Sequence, residues 1–200
     1  MNRWTGLAAG GMALWALAAP ASAFDNTQTF AKGTYVLSVE GGRGAQFNLE
    51  GHRTQSDLEF FNLGVRASLL PFESFGGDGP LRGALEIGVE PLYQRYTDPK
   101  PAFWAGLAAV FRYHFLALGR FVPYAELAGA AGGTDLRVKE IASDFSFLLW
   151  AGVGGSVFIT DSTTLYAGYR YEHNSNGDTA RPNRGWDSHV GVAGMSYYFR

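Results

Sequence analysis

Tyr169 to Asp187 holds residue types that could do chemistry together. It begins Tyr-Arg-Tyr-Glu-His-Asn-Ser-Asn-Gly and continues to Pro-Asn-Arg-Gly-Trp-Asp. Read as a strand, it puts His173 and Ser175 on the same face as Tyr169 and Tyr171, because successive side chains point to opposite faces. An imidazole near a hydroxyl can take its proton as the oxygen attacks a carbonyl, the arrangement of a base-activated serine nucleophile. Asp187 opens the next apolar run and could orient the imidazole from a neighbouring strand. The same spacing also fits the polar end of an ordinary strand, since geometry and not sequence order defines such a triad. The elements that carry these residues therefore decide what they can do.

Residues 1–23 carry one positive charge (Arg3), an apolar centre from Leu7 to Leu17, and Ala21-Ser22-Ala23. This pattern predicts an exported chain whose secretory signal is cleaved after Ala23, leaving 24–200 as one domain. There is no cysteine, so disulfides do not stabilise it. A formal charge of −2 gives no polyanion-binding surface of the kind nucleic acid requires. The unusual features are 15% aromatic residues and 27 glycines against 17% charged residues. Spread over short alternating segments, they predict β-structure.

Eight alternating segments follow. The first runs from about Thr34 to Gly41, the second from Leu58 to Leu70, and the third starts at Leu81 and includes Tyr93. The fourth runs from Phe103 to Phe115, and the fifth starts at Phe121. The sixth runs from Phe145 to Ile159, the seventh from Thr163 to Ser175, and the eighth from Asp187 to Phe199. Gly41 to Gly44 reads as a turn or bulge, Tyr96 to Pro101 as a break, and Gly132 to Ser143 as a polar connection. Long connections are expected after strands one, three, five and seven, and short turns elsewhere, with the connection after strand two longer than that rule. An even strand number joined in this way predicts an eight-stranded antiparallel up-and-down β-barrel.

Glu40, Arg66, Glu86, Glu90, Arg112, Glu126, Arg170 and Glu172 all fall on the less apolar parity. The other parity is Leu, Val, Phe, Ala and Tyr. A soluble ligand-carrying barrel would turn its charges to water, which does not explain their absence from the large aromatic face. A transmembrane barrel explains both, with apolar side chains toward lipid and charges in the lumen. Terminal aromatics such as Tyr35, Tyr93, Phe103 and Tyr197 suit interfacial girdles. With a periplasmic N-terminus, His173, Ser175 and Asp187 would sit at the outer rim on the lipid-facing parity. A polar cluster is tolerable there only at headgroup height. Hydrolysis of a lipid acyl ester is the chemistry that this position favours.

His173-Asn174-Ser175-Asn176-Gly177 followed by Pro182-Asn183-Arg184-Gly185 resembles the His-x-Ser-Asn-Ala and Pro-Asn-x-Gly pattern of the outer-membrane lipid A 3-O-deacylases, the PagL family. A looser likeness spans all eight strands, including Glu86-x-Gly88-x-Glu90-Pro91. The resemblance implies an outer-membrane esterase acting on lipid A of lipopolysaccharide. His173 would be the base, Ser175 the nucleophile and Asp187 the orienting acid. Asn176 and the N–H of Gly177 would form the oxyanion hole. Asp187 stands where the family has glutamate and reaches one methylene less far. Gly177 stands where it has alanine, keeping the N–H but loosening the backbone.

No metal or other cofactor is expected, since His52, His114, His173 and His189 show no metal-ligand spacing. His114 is expected in the lumen in a structural hydrogen bond. His189 is expected at the interface, although it could compete for Asp187. Two rival readings are a non-enzymatic structural or adhesive barrel and an outer-membrane phospholipase.

Overall fold

The computed structural model describes residues 26–47 and 54–200. The expected signal segment and His52 lie outside them. Eight strands form one closed antiparallel barrel: β1 (Tyr35–Phe47), β2 (Glu59–Leu69), β3 (Gly83–Asp98), β4 (Ala102–Phe115), β5 (Phe121–Thr134), β6 (Phe145–Phe158), β7 (Thr163–Ser175) and β8 (Trp186–Phe199). Each strand pairs with its sequence neighbours, and β1 closes on β8 from Tyr35↔Phe199 to Phe47↔Asp187. Closure satisfies the edge backbone groups that an open sheet would leave unpaired.

The parity of each strand sorts its side chains. Leu63, Leu107, Leu127, Leu149 and Val153 point outward and are more than half exposed (55–63%). A soluble monomer rarely exposes a continuous apolar patch beyond a few hundred Å², whereas here the apolar parity continues round the barrel. Such a wall is stable against hydrocarbon, where its exposure costs nothing.

Inside, three layers fill the lumen. At the end where β1 begins, the short helix α1 (Asn26–Thr29) leads Phe30 into a buried cluster with Val36, Leu70, Leu116, Val122, Phe158 and Tyr198. The middle is ionic. Arg170 grips both oxygens of Glu40 and also reaches Glu126. Arg112 donates twice to Oε2 of Glu126, at 2.9 and 2.7 Å, and lies over the rings of Tyr124 and Tyr166. Arg66 stands within 4.0 Å of Glu40, Glu86, Glu90 and Glu126. Buried charges persist only when paired in this way. His114 meets Glu86 at 2.7 Å, a structural hydrogen bond in the lumen as its parity predicts. Above the ions lies a second apolar cluster, including Phe60, Tyr96, Trp104, Leu136, Ile141, Trp150 and Trp186.

Three boundary expectations are corrected. Gly41 to Gly44 is neither a turn nor a bulge but part of β1, paired continuously with β2 and β8. Its glycines serve packing, because a Cβ at Gly44 would lie 2.2 Å from Cζ of Phe60. Tyr96 to Pro101 does not break the barrel wall. β3 continues to Asp98 and β4 restarts at Ala102, so the connection after the third strand is short. β5 likewise runs through Gly132 to Thr134, where Gly132 pairs with Gly106.

Candidate active site on the outer wall

The β7–β8 register puts His173 directly opposite Asp187. Their side chains meet on the outer wall, with His173 Nδ1 2.8 Å from Asp187 Oδ1. A carboxylate can only accept, so Nδ1 carries the hydrogen, and in the neutral ring Nε2 then keeps its lone pair. The imidazole is 40% exposed and the carboxylate 15%. Thus the imidazole faces out while its partner is sheltered. The phenol of Tyr171, two residues back on the same face, donates to the same Oδ1 at 2.7 Å. Two donors on one oxygen hold the carboxylate in place despite its short side chain.

Ser175 ends β7 opposite Phe147 of β6. It makes no hydrogen bond to His173. Two positions along a strand separate the residues by about 6.7 Å, a gap their rotamers can narrow. Catalytic contacts of this type often tighten only with substrate bound. Ser175 lines a cavity of about 580 Å³ with Val89, Leu107, Ala109, Gly129, Ala131 and Phe147. His173 lines its neighbour, about 450 Å³, with Phe111, Leu127, Ala151 and Tyr171. Gly129 and Leu149 belong to both. Together they make an apolar trough on the wall, shallow where large side chains stand and deeper over Ala109, Gly129, Ala131 and Ala151.

The two residues expected as oxyanion donors, Asn176 and Gly177, are placed differently from one another. Gly177, at φ +62°, has an N–H that no acceptor among the described residues engages. Asn176 is turned into the loop and fully buried. Its carboxamide donates to the Ala180 carbonyl at 2.8 Å, and its N–H to Oδ1 of Asn183 at 2.9 Å. One of the two hydrogens of the Asn176 carboxamide thus has its acceptor inside the loop. His189 does not compete for Asp187. It bonds the Tyr169 phenol and stacks on Phe47, with ring centroids 3.7 Å apart.

Residues 61–196 match the family model described as lipid A 3-O-deacylase (PagL). The chain belongs to this family. Among solved structures it is similar to the outer membrane enzyme PagL, at 19% identity and a TM-score of 0.61, covering 78% of this chain and 97% of that one. It is also similar to Neisserial surface protein A, again at 19% identity, with a TM-score of 0.57 and coverage of 84% and 100%. At such identities these two likenesses concern the fold. No curated protein matches the chain.

The family's Pro-Asn-x-Gly segment has a structural role here that its letters do not disclose. Gly185, at φ +65°, passes so close to the imidazole that a Cβ would lie 3.0 Å from Cε1 and 3.2 Å from Nε2 of His173. Asn183 bridges to Ile141 in the β5–β6 loop. Next to it, Arg184 donates its N–H to the Glu140 carbonyl at 2.8 Å and its guanidinium to the Glu140 carboxylate at 3.2 Å. Glu140 is fully buried and also accepts from Gln46, the Ser56 N–H and the Ser56 hydroxyl. One carboxylate thus clasps three loops. Burial alone would raise its pKa, but the hydrogen bonds from Ser56 and Gln46 outweigh burial and hold it below the ordinary carboxylate range. Gly185 is visible in the sequence as the last residue of the Pro-Asn-x-Gly motif, but neither Tyr171 nor Glu140 stands out there as part of this site. The parity of Tyr171 with His173 was the only available signal.

Proposed function

We propose that this barrel lies in the bacterial outer membrane and hydrolyses the 3-O-linked acyl ester of lipid A. The observation that carries the reading is the His173–Asp187 pair on the apolar wall, beside a trough that Ser175 lines, in a chain of the deacylase family. A barrel with a purely structural role has no use for an oriented imidazole facing lipid, where polar groups are costly.

In the proposed reaction an acyl chain lies in the trough and brings its ester carbonyl to Ser175. The Ser175 oxygen attacks the carbonyl carbon as Nε2 of His173 takes the hydroxyl proton. Asp187, braced by Tyr171, stabilises the imidazolium. The Gly177 N–H meets the developing oxyanion, and Asn176 holds the loop that presents it. Such a donor is worth about 3 kcal/mol. When the tetrahedral intermediate collapses, the C–O bond to the sugar breaks and His173 returns its proton to the leaving sugar oxygen. Water, deprotonated by the same histidine, then cleaves the acyl-serine and releases the fatty acid.

The test is mass spectrometry of lipid A from cells carrying wild-type or Ser175→Ala protein. Loss of the 3-O-linked chain with wild type alone is the expected result. Identical spectra from cells containing equal amounts of heat-modifiable, folded barrel would end the proposal.

A further inference from the structure

The trough accommodates acyl chains, but it offers nothing to the polar part of a lipid. That part has a place at the loop end. Lys139 from the β5–β6 loop and Asp178, Arg181, Pro182, Asn183 and Arg184 from the β7–β8 loop line an open cavity of about 710 Å³. Its volume lies in the range that encloses a small organic ligand.

Three features point to what fills it. First, Lys139 and Arg181 are exposed and form no ion pair within the described residues, while the charge of Arg184 is shared with Glu140. Two uncompensated cations favour a phosphate, which presents oxygens that both can contact. Second, the lining is mixed. The Asp178 carboxylate, held by Asn183 Nδ2 at 3.2 Å, would repel a bare anion but can accept from sugar hydroxyls. Third, the walls are already fastened by the Glu140 clasp, the Ile141–Asn183 bridge and the Asn176–Asn183 bond. Less conformational freedom is then lost on binding.

One peptide link joins the lining of the cavity to the segment beside His173. Arg184 is the residue before Gly185, and consecutive Cα atoms are about 3.8 Å apart. Its wall therefore begins one residue from the backbone that touches His173. We propose that this cavity binds the phosphorylated sugar headgroup of the lipid whose acyl chain occupies the trough. The inference rests on the deacylase reading and deepens it. Lys139 and Arg181 hold phosphate, and Asp178 and Asn183 hold sugar hydroxyls. The 3-O ester is thereby selected by anchoring both ends of the molecule.

The experiment uses the full barrel in neutral detergent micelles, with lipid A and its enzymatically dephosphorylated counterpart as substrates. Wild type should show a KM roughly tenfold or more lower for the phosphorylated lipid, the scale of one charged hydrogen bond. The double variant Lys139→Ala/Arg181→Ala should lose that preference through KM rather than kcat. Both residues are exposed, so heat-modifiable migration should persist. A variant that keeps the wild-type preference overturns the proposal.

A phosphorylated glucosamine disaccharide without acyl chains should inhibit wild type far better than inorganic phosphate at equal concentration. Equal inhibition by the two would reduce the cavity to a plain anion site and overturn the headgroup assignment. If folded wild type turns over neither lipid, the deacylase reading fails by itself. Titration of the phosphorylated disaccharide into Ser175→Ala barrel then decides the cavity. Binding lost with Lys139→Ala/Arg181→Ala supports it, and no binding overturns it.

Discussion

The phenol of Tyr171 donates to Oδ1 of Asp187, the same oxygen that accepts from His173. Asp187 thus orients the imidazole while being oriented itself. This offsets the missing methylene relative to the glutamate of the family pattern, since a shorter side chain has fewer torsions to fix. Asp187→Asn should lower kcat by roughly 10²–10⁴-fold, because an amide neither stabilises the imidazolium nor enforces the Nδ1–H tautomer. Tyr171→Phe removes one charge-assisted bond and leaves the other, so a loss of roughly tenfold is expected. Fatty-acid release from detergent-solubilised lipid A checks both. Equal losses for the two would mean that the phenol matters as much as the carboxylate.

Gly185 should be intolerant of any side chain. A Cβ would press on the imidazole at 3.0 Å, and φ +65° adds a backbone cost of about 1 kcal/mol for alanine. Gly185→Ala is expected to depress kcat at least tenfold while the barrel still folds. Gly191→Ala is the matched control in β8, where a Cβ meets nothing within 4 Å, and should have wild-type activity.

The floor of the trough should set which acyl chains are accepted. Ala131→Phe would fill the cavity beside Ser175 with a ring. KM should rise most for the longest chains, and the released fatty acids should shift toward shorter ones. Gas chromatography of the products reads this directly. An unchanged length distribution would place the chain elsewhere on the wall.

Glu140 should govern the loops, with a definite sign in pH. Its carboxyl is held below the ordinary range, so the clasp is fully present above the unfolded-state value of about 4.3. It is lost as pH falls through the lower folded-state value. Hydrogen exchange of residues 54–58 and 176–185 should therefore accelerate on acidification below about pH 4, before the barrel strands respond. Glu140→Ala should produce the same acceleration at neutral pH, at a cost of about 1–3 kcal/mol in loop stability. That range is modest because Arg184 is a quarter exposed and can turn to water.

Much of the barrel could be read from residue order because parity is a local property. Glu40, Arg66, Glu86 and Arg170 fall on one face by counting alone, and they are the residues that meet in the lumen. Strand ends were less legible. Gly41, Gly42, Gly44, Gly132 and Gly133 look like turn residues, yet Gly44 and Gly132 are small because Phe60 and Trp104 from other strands lie against them. Those rings are far away in sequence. Local propensity therefore pointed to a loop where cross-strand packing required a strand.

The same division holds at the site. Sequence by itself determined the fold class, the inside and outside of each strand, and His173 and Ser175 as outward neighbours, since a two-residue repeat requires only the order of the residues. Tertiary structure alone decided that Asp187 stands opposite His173, that Tyr171 shares its carboxylate, and that Asn176 turns inward. It also decided that Glu140 ties three loops together. Each of these depends on strand register or loop contact, and a shift of one residue in pairing would undo it. Only closure of the barrel fixes those pairings, because it must satisfy every strand's backbone at once.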